Sequence, residues 1–94
     1  MLESHGWARV SQSAVTDLTV HKIQQAVELV LGRAVTIDRD TDIARDLAVD
    51  SLALMNIVME LEDAFDVSMP LDRLATVQTI GDLADIISSL RQAA

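Results

Sequence analysis

Apolar side chains recur at helical spacing in three separate stretches of this 94-residue chain, and that recurrence confines it to a small helical fold. The first line is Val20, Ile23, Val27, Val30 and Leu31, with His21, Lys22, Gln24, Gln25 and Glu28 on the other faces. The second is Leu54, Ile57, Val58, Leu61 and Phe65, and the third Ile80, Leu83, Ile86, Ile87 and Leu90. At roughly 100–200 residues per domain the chain makes one domain with a single two-layer core. Trp7 and Phe65 are its only aromatic residues, so the core has to be built from Leu, Ile, Val, Met and Ala, a palette that leans helical.

Caps and breakers set the boundaries. Thr16 or Asp17 can cap the first helix, and Gly32 suits the position just past its end. Residues 32–50 show no sustained periodicity and are long for a connection. Val35, Ile37, Ile43, Leu47 and Val49 are spaced through them, which predicts a loop pinned to the core. A second helix is expected over 51–65 with Asp50 as its N-cap, and Pro70 breaks the chain soon after. Residues 71–77 make at most a turn or two of helix. Thr79 can cap the last helix, with Asp82 well placed in its first turn. The expected fold is all-α: a small four-helix bundle over 16–94, with three longer helices, one short third helix, and a long loop between helices one and two.

Residues 1–15 lack periodicity and read as a mobile extension with Trp7 exposed. No stretch is apolar for long enough to form a signal-peptide core or a membrane span, which sets a soluble, cytoplasmic and monomeric protein as the expectation.

Charge narrows the possible functions. Fifteen acids against seven bases give −8, the wrong sign for gripping nucleic-acid phosphates. Residues 46–72 hold seven of the acids (Asp46, Asp50, Glu60, Glu62, Asp63, Asp66, Asp72) and no base, a field that steers basic partners toward one segment. The chain has no Cys, which removes disulfides, thiolate catalysis and cysteine metal sites together. With only His5 and His21 and no hydrolase or metalloprotease motif, it is not expected to be an enzyme. Asp38, Asp40 and Asp42 have the spacing of the first ligands of a calcium loop. Ile43 and Val49 stand where that loop needs Gly and Glu, so no metal site is assigned.

The second helix carries a second apolar line, Leu52, Met55 and Met59, continued by Glu62 and bordered by Asp63. At about 100° per residue this line lies away from the core stripe. The pattern alone admits two arrangements: both lines buried in a central helix, or the second line exposed as a contact face. The absence of any Lys or Arg nearby to cover it favours the contact face, and Met suits such a face because its flexible thioether adapts to different partners.

Ser51 stands where the long loop becomes this helix, next to orphan N–H groups and the positive end of the helix dipole. That position favours a phosphate ester on the hydroxyl without making the hydroxyl nucleophilic. The wider stretch is more specific. Asp46-Leu47-Ala48-Val49-Asp50-Ser51-Leu52, then Leu61-Glu62-Asp63-Ala64-Phe65, then Pro70 and Thr79-Ile80, resembles the acyl carrier protein family. That family shows an Asp-Leu-Gly-x-Asp-Ser-Leu run, a helix ending in Leu-Glu-x-x-Phe, a Pro opening the third helix and a Thr-Val opening the last. The resemblance covers about 17–91.

The resemblance implies that Ser51 receives 4′-phosphopantetheine from coenzyme A through a phosphopantetheinyl transferase, and that the arm's thiol carries acyl groups as thioesters. A chain without Cys would thus import its thiol. It also implies that Asp50, Leu52, Met55, Met59, Glu62 and Asp63 face acyl-transferring, condensing or acyl-activating enzymes bearing basic docking patches. Three positions depart from the family pattern. Ala48 stands where Gly is usual, which reduces backbone freedom ahead of Ser51, and Ala53 and Asn56 stand where fatty-acid carriers often have acids. These departures bear on which partners dock. Peptidyl carriers typically show Gly-Gly-His/Asp-Ser, which Ala48-Val49-Asp50-Ser51 does not match well. The implied function is a freestanding carrier for fatty-acid or specialised lipid biosynthesis. One alternative is a carrier of aminoacyl, peptidyl or polyketide intermediates; another, of a different class, is a non-carrying acidic helical interaction module.

Overall fold

The computed structural model describes residues 18–93. The expectations for the first helix cap, for Trp7, for His5 and for an extension over 1–15 lie outside those residues. Helix α1 occupies 18–31, α2 Ile43–Leu47, α3 Ser51–Phe65, α4 Leu71–Leu74 and α5 Ile80–Ala93. The described residues contain no strand, only an isolated antiparallel bridge between Asp42 and Thr79. The bundle of three longer helices and a short one at Pro70 is there. The long loop between the first two longer helices also holds a one-turn helix, α2, that the periodicity did not separate. Five residues are too few to display a period, and α2 is held by its ends. Asp42 accepts the Arg45 N–H at 2.7 Å, Asp46 accepts the Asp42 N–H at 2.8 Å, and Ile43 and Leu47 are buried one turn apart.

One apolar core joins all five helices. Ile23, Ile57, Leu61, Ile80, Leu83 and Ile87 are almost wholly removed from water. Four of the five loop side chains expected to pin the connection, Val35, Ile43, Leu47 and Val49, are buried, and Ile37 packs half-buried against the core. Two corrections concern α3. Leu54 and Phe65 are only half-buried, whereas Ile57 of the same line is fully buried. Position along the helix decides this as much as angle does. Ile57 sits mid-helix with packing above and below it, while Leu54 borders a surface cleft and Phe65 is the last residue, under the Arg91 guanidinium 5.5 Å from its ring centre. Met69, in the short connection that the sequence places between the second helix and Pro70, is buried, and the Glu62 carboxylate accepts its backbone N–H at 2.8 Å.

The long loop is fastened at both ends. Near α1, Gln24 donates to the Val35 carbonyl at 2.9 Å while Glu28 accepts the Val35 N–H at 3.0 Å. Near α5, Ile43 N–H donates to Gln78 O, Ile80 N–H to Thr41 O and Gly81 N–H to Arg39 O, all within 2.9–3.0 Å. The last contact is so close that a Cβ on Gly81 would lie 2.9 Å from the Arg39 carbonyl oxygen. Thr79 caps α5 as expected, its hydroxyl accepting the Asp82 N–H at 3.1 Å. Asp82 in return accepts the N–H groups of Gln78 and Thr79 at 3.0 and 3.1 Å, and these bonds hold its carboxyl below the usual carboxylate range.

Candidate functional site

The approach to Ser51 is shaped by two residues that turn the chain. Ala48 closes α2 in the left-handed region, φ 55° and ψ 39°, a conformation that disfavours any residue with a Cβ and explains why glycine suits this position. The turn drives Val49 into the core and leaves Asp50 extended at the head of α3. Asp50 then caps the helix, its carboxylate accepting the Ala53 N–H at 2.8 Å and its carbonyl the Leu54 N–H at 2.9 Å. Ser51 is the first helical residue and is exposed. The N–H groups of Ser51 and Leu52 precede the first intrahelical donors, so they and the helix dipole present positive charge beside the hydroxyl.

An open cleft of about 610 Å³ adjoins Ser51. Its walls come from Ile43 and Arg45 on α2, from Ser51 and Leu54 on α3, and from Val77 and Gln78 ahead of α5. Among the described residues no His or Lys lines it, and Arg45, permanently protonated, cannot accept a proton. The two carboxylates on its edge, Asp42 and Asp50, are occupied as helix caps. The site offers an anchored, accessible hydroxyl in a phosphate-compatible setting and, among the described residues, no group placed to activate it.

The six other residues singled out by sequence divide into two groups. Leu52, Met55 and Met59 are 72, 38 and 61% exposed, so the second apolar line of α3 faces water rather than a second core. Asp50 and Asp63 are exposed beside it. Glu62 is half-buried and bound to the Met69 N–H, which ties it into the α3–α4 connection as well as into the acidic rim. Sequence reasoning missed Arg45, the one cation on the cleft wall among the described residues. The available signal was Asp42 ahead of Ile43 and Leu47, a cap followed by an i, i+4 apolar pair, which marks a one-turn helix projecting Arg45 outward.

This arrangement has close counterparts among known proteins. The family model described as "Phosphopantetheine attachment site" matches residues 21–87. A protein of Caulobacter vibrioides named "Probable acyl carrier protein" is 58% identical over 82 residues, 87% of this chain and 95% of that protein. The acyl carrier protein of Exiguobacterium sibiricum is 34% identical over 71% of this chain and 86% of its own length. Among solved structures, holo acyl carrier protein from Geobacter metallireducens superposes with a TM-score of 0.71 at 25% identity, covering 80% of this chain and 87% of that one. The family match encloses α2, the turn at Ala48 and Ser51 itself, and the fold agreement extends over most of the described residues. This chain therefore belongs to the acyl carrier protein family, whose members are carriers rather than enzymes and hold a covalently attached 4′-phosphopantetheine.

Proposed function

We propose that Ser51 is the attachment point of the phosphopantetheine arm, and that the chain carries acyl intermediates of fatty-acid or specialised lipid biosynthesis in the cytoplasm as a monomer. The observation that carries this is an exposed serine at the first position of α3, inside Asp50-Ser51-Leu52 and within the matched span. Ser51 fits the group. Its hydroxyl is reachable, the first-turn N–H groups stabilise a phosphodiester there, and the cleft beside it leaves room for the first atoms of the arm. In the loading step Ser51 Oγ bonds to a phosphorus of coenzyme A as the pyrophosphate P–O bond breaks. The adenosine bisphosphate leaves, and the serine proton passes to a base on the transferase. Once attached, the arm supplies a terminal thiol on which acyl groups ride as thioesters.

Leu52, Met55 and Met59 form the apolar centre of the docking face, with Asp50, Glu62 and Asp63 on its acidic rim. Acyl-handling enzymes with basic patches are the matching partners, because charge steers the encounter and the methionines then adapt to the surface met. Incubation with coenzyme A, magnesium and a broad-specificity phosphopantetheinyl transferase tests the attachment. One arm is expected by mass spectrometry, mapped to Ser51, and Ser51→Ala abolishes it while the helical circular dichroism is retained. An arm on another serine overturns the assignment to Ser51; no arm with several transferases overturns the carrier function and favours a non-carrying interaction module.

A further inference from the structure

We propose that Arg45 is the positioning residue for the arm's phosphodiester, seating it against the cleft beside Ser51; this rests on attachment at Ser51. Arg45 is, among the described residues, the single cation lining that cleft, and the carboxylates of Asp42 and Asp50 share the same wall. A phosphodiester placed there adds a negative charge to a neighbourhood already negative, so the one guanidinium present decides where that charge settles.

Arg45 is loosely held. Its side chain is 81% exposed, and its ion pairs with Asp42 and Asp46 are 3.9 and 3.8 Å long, beyond hydrogen-bond reach. Both carboxylates are already committed to backbone groups, Asp42 to the Arg45 N–H and Asp46 to the Asp42 N–H. The guanidinium is therefore available to a better partner. A phosphodiester offers two non-ester oxygens that suit the planar fork of arginine, and its covalent bond to Ser51 keeps it at the cleft at no cost in translational freedom. Ser51, with the free first-turn N–H groups of α3, and Arg45 of α2 line the same cleft, so groups from two helices border the place where the phosphate is attached. Because α2 joins directly to the turn at Ala48, this contact also couples the arm to the segment that presents Ser51.

The test compares apo and arm-bearing forms of the wild type, Arg45→Ala and Arg45→Lys. Complete modification of Ser51 is established by mass spectrometry, and intact folding by circular dichroism. Two signals are expected to move: the Arg45 Nε–H resonance of the wild type on attachment of the arm, and the phosphorus resonance of the arm-bearing protein on Arg45→Ala. Arg45→Lys, which keeps the charge but loses the fork, should displace the phosphorus resonance less than Arg45→Ala does. Full modification with either signal unmoved overturns the role of Arg45 and leaves the carrier function standing. Slower loading of Arg45→Ala with an unmoved phosphorus resonance also overturns it, making Arg45 a transferase contact. Absence of any arm on Ser51 overturns both.

Discussion

The two halves of the bundle are held together by different means. Residues 32–50 and the start of α5 are stitched by directed bonds: Ile43, Ile80 and Gly81 pair their N–H groups across the seam, Arg39 reaches Asp85 at 2.8 Å, and Arg33 donates to the Leu47 carbonyl at 3.1 Å. Helix α3 relies on burial. Ile57, Val58 and Leu61 anchor it, and none of Glu60, Glu62, Asp63 or Asp66 makes an ion pair among the described residues. Polar bonding is concentrated where the fold must hold an irregular loop in place, since an unpaired buried N–H or carbonyl there would cost about 1–3 kcal/mol. A regular helix satisfies its own backbone. Its outer side chains are then free of structural duty, with Glu62 the exception, and a docking face can be built on them.

The sharpest way to break this contrast is to truncate the two faces of α3 separately. Leu61→Ala should destabilise by about 2–5 kcal/mol in urea unfolding, while Met59→Ala should change stability by only a few tenths. Comparable losses from both would mean that the methionine line is core. On the stitched side, Gly81→Ala forces a Cβ against the Arg39 carbonyl and should cost about 1–3 kcal/mol, in thermal or urea melts. A negligible loss would show that the seam gives way easily and that its bonds matter little.

The junction between the halves predicts a gain. Ala48→Gly relieves the left-handed backbone at the end of α2 and should stabilise by up to about 1 kcal/mol, the relief being partly offset by the entropy glycine loses on folding. Acid should act first on the stitched side. The Asp82 carboxyl is held low in the folded state by the Gln78 and Thr79 N–H groups, so its contribution is present above the unfolded value and fades as pH falls through the lower folded one. Asp82→Asn should therefore flatten the acid limb of a stability-versus-pH curve. The smallest effect belongs to α3. Glu60 and Asp63 are like charges three residues apart on α3, a pair costing about 0.2–0.5 kcal/mol, so added salt should raise the melting temperature slightly. Asp63→Lys should reduce that salt response, and Glu62→Lys is the poorer probe because it also breaks the bond to Met69.

The longer helices, the apolar side chains that pin the loop and the serine at the head of α3 were all legible in the sequence. Each depends on local chemistry: apolar spacing, a capping side chain, a proline, an Asp-Ser-Leu start inside a spaced family pattern. These signals act within one or two turns of chain, so order in sequence is enough to find them. Helix α2 escaped because a single turn has no period.

Whether the second apolar line of α3 faces core or water could not be resolved by spacing, since an angle on a helix says nothing about how many neighbours surround it. Packing decided it. The core closes over Ile57, Val58 and Leu61 and stops, leaving Leu52 and Met59 outside. The cleft is tertiary in the same sense. Arg45 and Ser51 lie on separate helices, and only the left-handed turn at Ala48, together with the hydrogen bond from Ile43 to Gln78, brings those helices and the residues ahead of α5 around one opening. Chain order determined which groups could do chemistry here, and the meeting of non-local surfaces decided which of them stand together.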